Sequence, residues 1–220
     1  MRKTDILIAG GGLAGSTAAA MLARSGFDIV VVDPHASYPF DLRCEKLVGR
    51  QVQILRRTGL ADRVLAAATL DGECRVAQFG RVVLKRPADQ WGILYDTLVN
   101  TVRGTMAAGT PFIQGKITQI ANGPQRQVVA LSTGEEISAR LVVLANGLNS
   151  GLRHSLGMVR EDLSKCHCIT IAFDLQPAAR DSFDFRALTC FGARTADRIA
   201  YVSLFPIGNT MRVNLFAYRG

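Results

Sequence analysis

At 220 residues, with 48% hydrophobic and 20% charged side chains, the chain can bury one substantial core, or one domain with a second partly interleaved, and its composition excludes a disordered protein. Its formal charge of +8 favours anionic partners. The basic residues are scattered, however, and no basic stripe interleaved with aromatics marks a nucleic-acid surface.

The start, Met1-Arg2-Lys3, is not followed by a signal peptide: Asp5 interrupts the apolar run and glycines stand where it should continue. No stretch approaches about 18 uninterrupted apolar residues, so no membrane span is expected. These features predict a cytosolic protein. Residues 5–9 form a short apolar strand, 10–15 a glycine turn, and 13–25 an alanine-rich helix that stops at Gly26. A β-branched strand at 29–32 ends in Asp33, which completes a βαβ unit.

Residues 34–50 read as irregular and polar. A helix is predicted over 51–67 with an interruption near Gly59, a β-hairpin over 75–85 turning at Gly80, and a helix over 91–108. Short strands follow at 111–114, 116–120, 128–131 and 141–145. Beyond residue 155 the pattern becomes strand-rich, at 165–175, 183–191, 199–205 and 211–218. The five cysteines, Cys44, Cys74, Cys166, Cys168 and Cys190, are an odd number without a secretory signal, which points to free thiols. Cys166-His167-Cys168 has no second Cys/His pair nearby, so no metal site is expected. His35, His154 and His167 are isolated, and no catalytic residue is assigned.

The turn Gly10-Gly11-Gly12-Leu13-Ala14-Gly15 matches G-x-G-x-x-G in its required setting, with a strand before it, a helix after it and a second strand ending in an acid. Asp33 lies 18 residues beyond Gly15, near the spacing of a dinucleotide-binding unit. Gly10 permits the tight turn, Gly12 lets a pyrophosphate approach the backbone, and Gly15 lets helix and sheet pack closely. The N–H groups of Leu13 and Ala14 face the phosphates at the positive end of the helix. Asp33 is expected to accept hydrogen bonds from the adenosine ribose, and its charge to disfavour a 2′-phosphate.

Three segments together resemble the para-hydroxybenzoate-hydroxylase-like flavoprotein monooxygenases. They are the βαβ unit over 5–33; Arg43-Cys44-Glu45-Lys46 with the helix from Gln51 to Leu60; and Leu141-Val142-Val143-Leu144-Ala145-Asn146-Gly147-Leu148-Asn149-Ser150-Gly151-Leu152-Arg153, similar to that family's A-D-G-x-x-S-x-x-R. The resemblance implies an α/β fold: a Rossmann-type FAD-binding domain at 1–74 and 90–157, with a β-rich substrate domain at 75–89 and 158–220, interleaved and incomplete. It implies FAD as cofactor and NAD(P)H as transient reductant. The reaction implied is hydroxylation of an aromatic or related small molecule through a C4a-hydroperoxyflavin.

The resemblance also implies residue roles. Arg43 would lie against the ribityl and pyrophosphate region, or else be an ordinary surface arginine. Gln90 would approach the ribityl chain. Ile117 would cover the adenine, or else be a core-strand residue. Ser150 and Arg153 would close the loop after the strand, with plain turn and capping chemistry as the alternative. Asn146-Gly147 stands where the family has Asp-Gly, so a role needing a carboxylate there is in doubt. No Gly-Asp dipeptide occurs in the chain, although the family carries one after its substrate sheet; with the short length, this leads to the expectation of an N-terminal fragment. Two alternatives stand beside hydroxylation: a reductase of the geranylgeranyl-reductase and halogenase-like group, with halogenation disfavoured because Trp91 is the only tryptophan; and a non-catalytic, truncated nucleotide-binding remnant.

Overall fold

A computed structural model describes residues 1–43, 45–163, 168–178 and 182–219. Cys44, Cys166 and His167, part of the segments weighed above, lie outside the described residues. The elements in chain order are β1 (Arg2–Ala9), α1 (Leu13–Arg24), β2 (Ile29–Asp33), β3 (Lys46–Val48), α2 (Gly49–Arg57), α3 (Ala61–Ala66), β4 (Thr69–Leu70), β5 (Glu73–Gln78), β6 (Arg81–Pro87), β7 (Gln90–Gly92) and α4 (Tyr95–Arg103). They continue with β8 (Phe112–Gln114), β9 (Ile117–Ala121), β10 (Gln127–Leu131), β11 (Glu136–Leu144), α5 (Gly151–Ser155), β12 (Cys168–Leu175), β13 (Ala187–Phe191), a 3₁₀ turn (Thr195–Asp197), β14 (Ile199–Ile207) and β15 (Thr210–Tyr218). This is the mixed α/β architecture expected. No helix among the described residues is long and apolar enough to cross a membrane.

The chain divides into two units, Met1–Asp41 with Asp96–Glu161, and Leu42–Tyr95 with Asp162–Gly220. The first is built on a sheet of order β8-β2-β1-β11-β10-β9. β1 lies parallel between β2 and β11. A central parallel strand is covered on both faces, which is why Ile6 to Ala9 and Ile29 to Val32 are unbroken apolar runs. Leu7, Ala9, Val30 and Val32 pack on one face with Val129, Leu131, Ile137 and Ala139. Ile6, Ile8, Ile29 and Val31 pack on the other with Ala19 of α1.

The second unit contains a sheet of order β12-β15-β14-β13-β5-β6 and a smaller one of order β3-β7-β4. β5 and β13 pair in parallel although more than a hundred residues separate them in sequence. The hairpin expected near Gly80 is present, with Phe79 and Gly80 both at positive φ (50° and 72°), the conformation of a tight turn between twisted strands.

Three expectations change. The helix predicted over 91–108 is instead β7 followed by the shorter α4. Trp91 and Gly92 are drawn into a strand by pairing with β3 and β4, and a Cβ on Gly92 would lie 2.0 Å from the Pro206 carbonyl oxygen. The helix predicted over 51–67 is two helices, broken at Gly59, whose φ is 67°. Residues 42–74 and 90–95, expected with the dinucleotide-binding part, group with the second unit. There β3 and β4 pair with β7, Lys46 donates to Ser203 Oγ at 2.8 Å, and Arg212 donates to Glu45 at 2.7 Å.

Candidate dinucleotide site

The site grows out of the C-terminal end of β1. The strand hands its last amide bond to its neighbour, Gly10 N–H donating to the Val32 carbonyl at 2.8 Å. The chain then turns sharply into α1. Gly10 sits at φ 110°, and a Cβ there would lie 2.5 Å from the Ala145 carbonyl oxygen. Gly15 is tighter still: its Cβ would fall 1.8 Å from the Gly10 carbonyl oxygen, so only glycine lets α1 come this close to the strand end. Gly12 differs from both. It is the N-cap of α1 at φ −68° and ψ −171°, and the nearest atom to a Cβ there is Tyr38 Cε2 at 3.9 Å. Its open side lies at the head of a twelve-residue helix with no acidic residue in its first turn, where the N–H groups of Leu13 and Ala14 and the helix dipole favour an anion.

Gly11, which the motif leaves open, is enclosed by packing. A Cβ on it would meet Phe112 Cε2 at 2.9 Å and Arg103 Nη2 at 3.1 Å. Its backbone is held on both sides: its N–H donates to Asp33 Oδ2 at 2.7 Å, and its carbonyl accepts from Ser16 Oγ at 2.8 Å and Arg103 Nε at 2.7 Å. Asp33 also accepts from the His35 N–H at 2.9 Å through Oδ1, which lies 3.2 Å from Arg103 Nη2. The carboxylate is therefore largely engaged in fixing the turn. The Arg103 guanidinium lies beside it on the buried side of the turn.

Arg103 is the residue that sequence reasoning missed. It is almost fully buried and also donates to the carbonyls of His35 (2.7 Å) and Ala36 (3.1 Å). Its guanidinium lies 4.9 Å from the centre of the Phe112 ring and 5.6 Å from that of Tyr38. The available signal was its place one turn after Val99 on the buried side of α4, where a cation needs a buried partner. At a helix C-terminus it reads as an ordinary dipole-compensating arginine.

Asn146 stands directly beside the turn, its Cα 3.0 Å from where a Gly10 Cβ would be. Its Nδ2 donates to the Asn149 carbonyl at 2.8 Å, while its Oδ1 is buried without a partner. Gly147 follows at φ 58°. Gly10, Gly12, Leu13, Ala14, Gly15, Asp33, Asn146 and Gly147 thus belong to one end of the first sheet. Ile117 starts β9 at the sheet's edge and packs against the core. Arg43 and Gln90 belong to the second unit. Arg43 lies over the Tyr95 ring at 5.6 Å, and the Gln90 N–H donates to Asp71 Oδ1 at 3.2 Å. Ser150 stands at the N-cap position of α5 without a side-chain capping bond, and Arg153 lies in the helix's last turn. Among the described residues no cluster of three or more His, Cys, Asp or Glu side chains could hold a metal ion.

These residues fit the ADP half of FAD. The side-chain-free face of Gly12 is a cradle that a methyl group would fill, and the orphaned Asn146 oxygen offers an acceptor to a hydroxyl.

The second unit carries its own buried charges. Arg212 donates to both oxygens of the fully buried Glu45 at 2.7 Å, and its Nε donates to Asp174 at 2.7 Å. Burial works against the Arg212 cation, but the Asp174 and Glu45 carboxylates outweigh it and hold its pKa above the usual arginine value. On the same sheet face Ser203 pairs with Asn214, and Tyr201 pairs with Phe216 with their rings stacked at 4.3 Å.

Comparison with known proteins gives a consistent result. A family model described as an FAD binding domain matches residues 3–217. The ubiquinone hydroxylase UbiL of Rhodospirillum rubrum is 29% identical over 172 residues, covering 71% of this chain and 40% of that protein. The menaquinone reductase of Mycolicibacterium smegmatis is 31% identical over 166 residues, covering 70% and 40%. The chain thus spans about two fifths of the length of these relatives. A solved flavoprotein/dehydrogenase from Cytophaga hutchinsonii superposes with a TM-score of 0.79 at 18% identity, over 98% of this chain and 56% of that one.

Proposed function

The chain belongs to the FAD-binding domain family, and from that premise we propose that it serves an NAD(P)H-dependent oxidoreductase that hydroxylates an aromatic or quinol ring. The observation that carries the cofactor half of this reading is the open face of Gly12 at the head of α1. Backbone N–H groups converge there with no side chain in the way, which suits a diphosphate. Held at its diphosphate by the open face of Gly12 and the N–H groups of Leu13 and Ala14, FAD would supply the redox and oxygen chemistry, while the protein would orient it and exclude water. The ring substrate is assigned to the β14–β15 face of the second unit. There the stacked Tyr201 and Phe216, only partly buried, offer a platform.

Calorimetric titration with FAD, ADP, FMN and NAD tests the cofactor. FAD and ADP are expected to bind, with FAD tighter than NAD and with FMN, which lacks the ADP half, the weakest. Binding of FMN as tight as that of FAD overturns the placement. A second reading, reduction of a quinone without oxygen insertion, is favoured by the 31% identity to a menaquinone reductase. Label from ¹⁸O₂ appearing in the product selects hydroxylation; NAD(P)H-dependent quinol formation under argon selects reduction.

A further inference from the structure

We infer that Arg103 is a positioning residue for the diphosphate: it fixes the peptide plane between Gly11 and Gly12, so that the Gly12 N–H is aimed outward at the ligand. The inference rests on the ADP-binding reading of this turn and concerns how the site is oriented.

In a trans peptide the C=O and the following N–H point in opposite directions, and the described residues contain no cis bond. The Gly11 carbonyl points inward, accepting from Arg103 Nε at 2.7 Å and Ser16 Oγ at 2.8 Å. The N–H of Gly12, the other end of the same plane, therefore points away from Arg103. Two flanking glycines leave this plane with little intrinsic preference, because both residues can reach φ values closed to other side chains. The carbonyl bonds supply that preference.

Arg103 is suited to the task because its own position is fixed. Its Nη1 donates to both the His35 and Ala36 carbonyls, its Nη2 lies 3.2 Å from Asp33 Oδ1 without a hydrogen bond, and two aromatic rings flank the guanidinium. Asp33 closes the device from the other side by accepting the Gly11 N–H at 2.7 Å. The arginine acts through the backbone, beneath the turn, and a rigid fork of donors is what permits three simultaneous carbonyl bonds.

The test compares ADP with adenosine on wild type, Arg103→Met and Ser16→Ala. ADP and FAD are titrated by calorimetry and adenosine by ligand-observed NMR, and the Gly12 amide is followed in ¹H–¹⁵N spectra. Arg103→Met is expected to weaken ADP and FAD about tenfold, to leave adenosine within twofold, and to shift the Gly12 amide resonance in the free protein. Ser16→Ala removes the second donor to the same carbonyl without disturbing Asp33, and is expected to give the same selective loss on a smaller scale. It decides the matter if Arg103→Met does not fold. Equal losses for ADP and adenosine, or no loss for ADP in a folded variant, overturn the inference while ADP binding itself stands. Failure of the wild-type protein to bind either ADP or FAD removes the cofactor reading, and this inference with it.

Discussion

Gly12 and Gly15 should fail in opposite ways when each becomes alanine. At Gly12, φ −68° and ψ −171° suit alanine, and the new methyl has its nearest neighbour at 3.9 Å. The folded protein therefore loses only the small advantage of glycine over alanine at an N-cap, about 1 kcal/mol or less, or roughly 2–4 °C in Tm. The methyl nevertheless occupies the face that a diphosphate approaches. If one charge-assisted hydrogen bond is lost, worth about 1.5–3 kcal/mol, FAD affinity falls by roughly one to two decades. At Gly15 the Cβ would lie 1.8 Å from the Gly10 carbonyl oxygen and 3.1 Å from Ile8 Cγ2. The 1.8 Å neighbour is backbone and cannot swing aside, so α1 must lift from β1, opening the Ile6, Ile8 and Ala19 packing. Overpacking of this kind costs about 1–3 kcal/mol and occasionally more. Thermal melts of the ligand-free variants, followed by FAD calorimetry, separate the two phenotypes. A Gly12→Ala protein that melts as low as Gly15→Ala, or that binds FAD like wild type, refutes the reasoning.

Asp33→Asn leaves Arg103 buried without a counter-charge but with its three carbonyl partners, and is expected to cost about 2–4 kcal/mol in urea denaturation; a loss below about 0.5 kcal/mol, within the range of an ordinary surface substitution, would show that the pair does not hold the turn. Arg212→Met strands the fully buried Glu45 and should cost about 3–5 kcal/mol, and adding Glu45→Gln should recover part of that loss; strict additivity of the two substitutions speaks against a coupled pair. Asp71 is buried, with Oδ2 lacking a partner, and desolvation pushes its pKa up despite hydrogen bonds from the Gln90 and Gly72 backbone. A carboxyl raised in the fold stabilises most below its unfolded value, about 4, and that contribution is lost as pH rises through the folded value. Asp71→Asn should therefore be at least as stable as wild type at pH 7 and should lose this part of the decline above pH 4. An unchanged pH slope, measured by denaturation at each pH, contradicts this.

The βαβ unit was legible almost to the residue because local signals agree there: apolar runs, alanine-rich helix, Gly26 and terminal Asp33. The three-glycine spacing located the turn for the same reason. What escaped depends on partners distant in sequence. Trp91 and Gly92 continue a helical pattern, yet pairing with β3 and β4 makes them a strand, and no local preference encodes that contact. Strand β3, in a stretch that reads as irregular and polar, exists through the same pairing. Asp33 ends β2 at the spacing of a ligand-facing acid, but its 3.2 Å approach to Arg103 depends on α4, some seventy residues later. Arg103 escaped because a buried arginine and a helix-terminal arginine look alike until its surroundings are known.

The parallel pairing of β5 with β13 sets an order of events during synthesis. Residues 73–78 leave the ribosome long before 187–191, their partners, a delay of roughly ten seconds at ordinary elongation rates of about 5–20 residues per second. In that interval the β5–β6 hairpin has one unpaired side and must wait, whereas the first unit acquires β11, the partner of β1, once residue 144 has emerged. Nascent chains stalled with residues 1–161 exposed should therefore protect β1, β2 and β11 from protease while β5 and β6 remain cleavable. Protection of the hairpin should appear only after β13 and β14 have emerged, so the nested arrangement makes the dinucleotide-binding unit the first part of the chain able to take up a ligand.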